Sequence, residues 1–298
     1  MEENLLEAYL SQKPGIKPTK IKILRQFGTA QNALRHYSQL SQALGVKVGD
    51  RVWRDLLDIR LSRPFDDEPP RFLGCSNIAE ARWCHLKAIF KCIEEEHMFK
   101  AAYDEDVPTQ GVTPTVQDYN RMLEQKKGIG TTEKRFLDWE KEKQQLVAEG
   151  FADLDPKWRG AIVESFHAEQ YPTIRFHFEF MDKVVLGIPD GITGEFCYEF
   201  KSTRNQFLYE FVLPVARCQA NLYAYFLKRP YIRVQVHILE TDEIKTVMQE
   251  ANYSRAEADL TEIVELLSGK RKPIPPKPWK CNTCKFATRC PGCGSRRS

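Results

Sequence analysis

Two clusters of residues in this 298-residue chain have types and spacings that can do chemistry. The first is the tail Cys281-Asn-Thr-Cys284-Lys-Phe-Ala-Thr-Arg-Cys290-Pro-Gly-Cys293. Cysteines two residues apart can aim two thiolates at one metal centre, and three at x2 and x5 spacing supply three corners of a tetrahedral site. Two residues compete for the fourth corner. Cys75, 206 residues upstream of Cys281, would make the metal a clasp between distant parts of the fold. Cys293 would instead complete a local zinc knuckle with Cys281, Cys284 and Cys290. The second cluster is Asp190 with Glu199-Phe-Lys201. Two adjacent carboxylates repel each other and are costly to bury, and a divalent cation removes that cost by binding them through oxygen. A protonated lysine one step along the strand can contact a phosphoryl oxygen or orient an attacking water. This is the minimal kit for phosphodiester hydrolysis. The same pattern occurs by chance on solvated hairpins, so the surrounding elements decide between the readings.

Those elements read as α/β. From about 131 the chain shows a helix opened by Glu133 and carrying Phe136, Leu137, Leu146 and Val147. Three strand-like runs follow: Thr173–Phe180 with clean alternation, Val184–Ile188, and Phe196–Lys201. A long helix over about 206–228, an alternating strand at Tyr231–Leu239 and a final helix over 254–268 complete the region. Helix, three strands, helix, strand predicts helices packed on a mixed sheet. Period two puts Glu199 and Lys201 on one face of their strand and Phe200 on the other. A hairpin between the second and third runs would bring Asp190 beside Glu199. The long helix carries Gln219 and Tyr223 at i, i+4, one face directed at that strand.

The remaining regions serve as framework. Residues 1–72 read as short helices ending in a Pro-rich linker. Over 73–130, a helix follows Cys75, with Asn77 as its cap and Glu80 three residues on. A loop at 104–114, a charged helix at about 115–126 and a Gly-rich turn at 126–130 follow. Four prolines between Pro273 and Pro278 make an extended strut into the tail, 269–298. Cys197 and Cys218 read as buried small hydrophobes, and Cys84 and Cys92 as core residues of the helix after Cys75.

Composition excludes some classes. Hydrophobic residues make up 42% and charged residues 29%, as in soluble globular proteins, and no apolar run reaches the roughly 20 residues that span a bilayer. The opening Met-Glu-Glu-Asn-Leu-Leu-Glu is acidic and resembles neither a secretory signal nor a transit peptide. A cytoplasmic location follows as the expectation, where nine cysteines favour metal binding or buried thiols over disulfides. Net charge is only +3, but residues 270–298 hold nine Lys or Arg and no acid, a lobe suited to a phosphate backbone.

Gly187-Ile-Pro-Asp190-Gly-Ile, Glu199-Phe-Lys201-Ser-Thr and Gln219-Ala-Asn-Leu-Tyr223 resemble, in order, the PD-(D/E)XK motifs of RecB-type nucleases. A cysteine before that core and Cys-x2-Cys-x5-Cys after it resemble the iron–sulfur branch, which includes CRISPR-associated RecB-like nucleases and eukaryotic single-strand exonucleases. The resemblance covers about 131–293 plus Cys75. It implies a restriction-endonuclease-like core over 131–268, in which Asp190 and Glu199 bind Mg²⁺ or Mn²⁺ and Lys201 is the catalytic lysine. It also implies that Gln219 and Tyr223 steady the site or contact DNA. Where many relatives have a His after a glycine, this chain offers Gly130-Thr-Thr-Glu133, with Glu133 as a further oxygen ligand. Cys75, Cys281, Cys284 and Cys290 would hold a [4Fe-4S] cluster. The implied substrate is DNA, single-stranded or with free ends. No Gly-x4-Gly-Lys-Ser/Thr motif is present, so unwinding would come from a helicase partner, and a CRISPR integrase is the alternative partner. Two other readings stay open: a non-catalytic nucleic-acid-binding accessory, and a zinc-knuckle interaction protein.

Overall fold

The computed structural model describes residues 69–106, 115–125, 162–163, 171–288 and 290–293. Glu133, the helix expected to open there, the turn at 126–130 and residues 1–68 lie outside the described residues. The chain divides into two compact units. One comprises Pro70–Trp83 and Lys91–Val264, and the described part of the other comprises Pro69, Cys84–Phe90 and the described residues from Glu265 on.

The first unit is a mixed α/β structure with two sheets. Strand β1 (Phe72–Gly74) runs parallel to β3 (Lys183–Gly187), and β2 (Phe176–Phe180) pairs antiparallel on the other side of β3, giving the order β1-β3-β2. The second sheet has the order β4-β5-β6-β7, built from Gly191–Ile192, Phe196–Thr203, Tyr231–Ile238 and Glu243–Glu250. Strands β5 and β6 are parallel, while β4 and β7 run antiparallel at the edges. Parallel neighbours need a crossover. Here it is a 22-residue helix, Gln206–Leu227, which packs on β5 and β6.

Helices in chain order are α1 (Cys75–Ala79), α2 (His85–Asp106), α3 (Val116–Gln125), α4 (Gln206–Leu227), α5 (Tyr253–Leu267) and α6 (Pro278–Cys281). Their ends follow local chemistry. Asn205 caps α4 by accepting from the Leu208 N–H at 3.0 Å. Lys228 closes it in the left-handed region, φ 53°. At α3, the Thr115 hydroxyl accepts from the Asp118 N–H and Asp118 accepts from the Thr115 N–H, a reciprocal cap.

Four expectations need correction. The helix after Cys75 is not continuous: α1 ends in a 3₁₀ turn at Glu80–Arg82 before α2 starts. Its N-cap is Gly74, and Asn77 is buried inside it. The partner of β5 is the two-residue β4, because β3 already pairs on both edges with β1 and β2. Strand β7, whose exposure alternates as on an edge, extends the second sheet and has no counterpart in the sequence reading.

Candidate active site and cysteine tail

Strand β5 sorts its side chains by face. Tyr198 and Phe200 enter an apolar cluster with Val163, packed by Tyr171, Phe196 and Leu239. Cys197, Glu199 and Lys201 occupy the opposite face by the period of two. Glu199 is fully buried. A buried carboxylate needs compensation, and Lys201 supplies it by pairing its Nζ with Glu199 Oε1 while staying partly accessible. Asp190 stands directly before β4, whose register sets Gly191 opposite Tyr198. Its Oδ2 accepts the Phe200 N–H at 2.7 Å, so the carboxylate is locked onto the backbone of the strand that carries Glu199 and Lys201.

Helix α4 contributes the third side. Gln219 Nε2 donates to the Tyr223 hydroxyl at 2.6 Å, and both residues are buried. Burial pushes the Tyr223 phenol well up, and the negative charges of Glu199 and Asp190 push it further, so it is held as a neutral phenol near both carboxylates. Gly187 makes room for it. A Cβ there would lie 2.6 Å from the Phe176 ring and 2.9 Å from Cε1 of Tyr223. The glycine of the Gly187–Asp190 segment is thus fixed by the approach of the tyrosine. Asp190 bonds to the strand that carries Glu199 and Lys201, and Gln219 and Tyr223 bond to each other with the tyrosine near both carboxylates; Glu133 lies outside the described residues.

Cys75 is in this same unit. It opens α1, which packs on α4, and it is buried. Burial pushes its thiol well up, with Glu199 and then Cys197 adding to the shift. Cys75 therefore belongs to the wall behind Glu199. The upstream cysteine that accompanies the tail is Cys84, which the sequence reading had assigned to the core.

Cys84 is half-exposed at the start of α2. Its thiol is raised chiefly by burial, and also by Cys284, while the neighbouring Lys280 lowers it. Burial, Cys84 and Cys284 all raise Cys290, to about 11. Burial pulls the Lys280 ammonium down, and Cys84 raises it. The tail is folded onto the first turns of α2. Phe286 stacks on Phe90 at 5.1 Å, and the His85 Nδ1 accepts from the Ile274 N–H at 3.1 Å. Consecutive turns space the cysteines, with Cys284 N–H donating to Cys281 O and Cys293 N–H to Cys290 O. Cys281 and Cys293 form a disulfide, whereas Cys84, Cys284 and Cys290 are free thiols. Two features could have singled out Cys84 in sequence: it stands at a helix start, and Trp83-Cys84 follows a break in the helical pattern.

Among the described residues no group of three or more His, Cys, Asp or Glu side chains is assembled to hold a metal ion. No helix among them is long and apolar enough to cross a membrane. No family model matches the sequence, and no curated protein matches it. Six solved chains match by structure. One, the crystal structure of SSO0001, is 11% identical, with 80% of this chain and 96% of that chain covered and a TM-score of 0.41, a likeness too distant to assign fold or function.

Proposed function

We propose that the protein is a metal-dependent deoxyribonuclease with a restriction-endonuclease-like core, acting on single-stranded DNA or DNA ends. The observation that carries this reading is Asp190 locked onto the backbone of the strand that carries Glu199, with Lys201 paired against Glu199. A buried carboxylate, a backbone-locked carboxylate and a partly accessible ammonium at one sheet position are costly for stability alone. They suit a site that receives charge from outside.

The donor set fits a hard divalent cation bound through Asp190 and Glu199, with Mg²⁺ or Mn²⁺ as the match for carboxylate oxygen. When bound, such an ion supplies a Lewis acid and an activated water. The chain's own residues do the rest. The Phe200 N–H fixes the Asp190 rotamer. Lys201, held on Glu199, presents positive charge where a phosphoryl oxygen would gain negative charge. Tyr223, kept neutral and oriented by Gln219, is a hydrogen-bond donor rather than a second anion.

The cysteine tail supports a second, structural element of the proposal. With Cys281 bonded to Cys293, the residues do not fit a four-cysteine cluster. With that disulfide reduced, Cys281, Cys84, Cys284 and Cys290, all within one unit, are the residues that would hold a [4Fe-4S] cluster. This revises the set proposed from sequence, replacing Cys75 by Cys84. CRISPR adaptation and DNA repair are the proposed settings, with a helicase or an integrase as partner. The test is degradation of an end-labelled single strand with Mg²⁺ or Mn²⁺ by the wild type and by Asp190→Asn. Cleavage by the wild type alone is expected; equal cleavage by both removes the assignment.

A further inference from the structure

Arg229 follows the end of α4 and is buried, with 7% of its surface exposed. Buried arginines ordinarily meet a carboxylate. Among the described residues this one meets none, and three of its nitrogens donate to neutral oxygens. Nε donates to Thr193 O at 2.6 Å, Nη1 to Leu227 O at 2.7 Å and Nη2 to Asn120 Oδ1 at 2.5 Å. Leu227 is the last residue of α4, so its carbonyl lacks an intrahelical partner and lies at the negative end of the helix dipole. Lys228, in the left-handed region, turns the chain so that the next side chain reaches back to that carbonyl. The main chain of Arg229 is anchored as well. Its N–H donates to Ala224 O at 3.0 Å, and its carbonyl accepts from the Tyr253 hydroxyl at 2.8 Å. A helix-end cation accounts for the bond to Leu227, but not for the bond to Thr193.

Thr193 belongs to the turn between β4 and β5, the hairpin that delivers Asp190. That hairpin is short: β4 pairs with β5 through Gly191 and Ile192 alone. The Thr193 N–H donates to Phe196 O at 2.9 Å, and its hydroxyl accepts from the Glu195 and Phe196 N–H groups at 3.1 and 3.0 Å. These bonds close the turn on itself. Outside it, the Ile192 N–H donates to Pro172 O at 2.8 Å, and the Thr193 carbonyl takes Arg229 Nε. The same guanidinium is bonded to the end of α4, one turn beyond Tyr223. One side chain therefore ties the hairpin bearing Asp190 to the helix bearing Gln219 and Tyr223, with α3 joined through Asn120. A small, hard cation demands near-ideal oxygen geometry, so two carboxylates serve it only when the supports behind them are rigid.

We propose that Arg229 is a positioning residue for Asp190. Bonded to Thr193 and to Leu227, it holds the β4–β5 hairpin at a fixed distance from α4, so that Asp190 is presented to the cation that Glu199 also binds. The inference rests on the nuclease reading for the cation, and it adds to that site a residue that acts through the hairpin rather than on metal or DNA.

The test compares the full wild-type chain with Arg229→Met, which keeps the apolar stem and removes every donor. Cys92→Ala, a core truncation on α2, controls for general loss of stability. The first readout is hydrogen exchange of the Phe200 N–H, the donor to Asp190. In Arg229→Met it should exchange about tenfold faster relative to the ladder amides of β6, as for the loss of one hydrogen bond. In Cys92→Ala that ratio should stay at the wild-type value. The second readout is Mn²⁺ binding by calorimetry, which should weaken about tenfold in Arg229→Met while cleavage at saturating Mn²⁺ is largely kept. Arg229→Lys, which keeps the charge and a donor, should recover part of both. Asn120→Ala leaves the arginine in place and removes one acceptor, so it carries the same test, with about a threefold change, if Arg229→Met does not fold. An unchanged Phe200 ratio in the Arg229 and Asn120 variants overturns the proposal, as does an equal change in Cys92→Ala. The nuclease reading is judged separately. A wild type that neither binds Mn²⁺ nor cleaves loses that reading, while the Phe200 ratio still decides whether Arg229 holds Asp190. A wild type that cleaves, with unchanged Mn²⁺ affinity in Arg229→Met, keeps the nuclease and loses the positioning role.

Discussion

The sheet unit and the tail unit both contain cysteines, and they use them differently. Around Glu199, Cys75 and Cys197 are sealed in, and their thiols are raised by burial first and by the carboxylate second. Cys218 is likewise enclosed, donating to Asp259 Oδ2 at 3.1 Å. In the tail unit, Cys84 and Cys284 are half-exposed, Cys284 helps to raise the Cys84 thiol, and Lys280 lies close by. A thiol enclosed by apolar atoms and a carboxylate resists ionisation and acts as a small hydrophobe. A thiol among other thiols and ammonium groups can give up its proton to a metal. Residue type alone does not separate these roles, because the difference lies in what surrounds the sulfur.

The largest expected effect tests the carboxylate side. Asp190→Asn and Glu199→Gln should each reduce metal-dependent cleavage to background while the circular dichroism spectrum stays native. Wild-type turnover in either variant would show that the buried charges are structural. Lys201→Ala should also abolish cleavage, and its melting temperature should fall, because Glu199 then keeps a buried charge without its lysine.

Exchanging the two upstream cysteines tests the contrast directly. Cys84→Ala should lower the iron content of protein purified without oxygen as severely as Cys284→Ala or Cys290→Ala. Cys75→Ala should keep the iron and cost about 1–3 kcal/mol of unfolding free energy, as expected for a small core truncation. Cys293→Ala should keep the iron as well, since it frees Cys281. Iron loss in Cys75→Ala together with iron retention in Cys84→Ala would restore the long-range clasp and reverse the assignment of roles.

A smaller effect concerns Gly187. Its added methyl in Gly187→Ala would meet the rings of Phe176 and Tyr223. Overpacking of this kind costs about 1–3 kcal/mol. A drop in melting temperature with partial loss of cleavage is expected. An unchanged melting curve would mean that Tyr223 is less firmly seated than its contacts indicate.

The smallest effect is on pH dependence. Cys92 is buried and its thiol is pushed up to about 12 from an ordinary 9.0, with burial as the main cause. The native value is raised, so the stability held by the neutral thiol is complete below the unfolded value and is lost as pH rises from about 9 towards about 12. Cys75, Cys197 and Cys218 shift in the same direction. The urea midpoint should decline over this window, less steeply in Cys92→Ala. An equal slope in that variant would assign the decline to other groups.

Several features were legible in the sequence because they are local and periodic. The alternation of Phe196–Lys201 placed Glu199 and Lys201 on one face, and the structure extends that strand to Thr203. The helix expected at 206–228 is Gln206–Leu227, and the strand at Tyr231–Leu239 is Tyr231–Ile238. Gln219 and Tyr223 at i, i+4 do hydrogen-bond to each other. Each rests on a repeat of 2.0 or 3.6 residues that a single segment displays by itself. Edge strand β7 was missed because Glu243–Glu250 is polar and exposed, with little apolar signal to mark it.

What only the tertiary structure decided is which distant segments meet. The split into β1-β3-β2 and β4-β5-β6-β7 depends on β1 docking beside β3, a pairing between residues more than a hundred positions apart. The same holds for the cysteines. Sequence identified Cys281, Cys284 and Cys290 from their mutual spacing, a local signal, but between Cys75 and Cys84 it had only proximity to a helix start. Which of the two sulfurs lies near the tail thiols is set by how that short segment folds. A five-residue helix and a 3₁₀ turn separate the two sulfurs, leaving Cys75 behind Glu199 and Cys84 among the tail thiols. Local periodicity fixes which face of an element a side chain occupies, but the element on the other side of that face is set by packing across the chain.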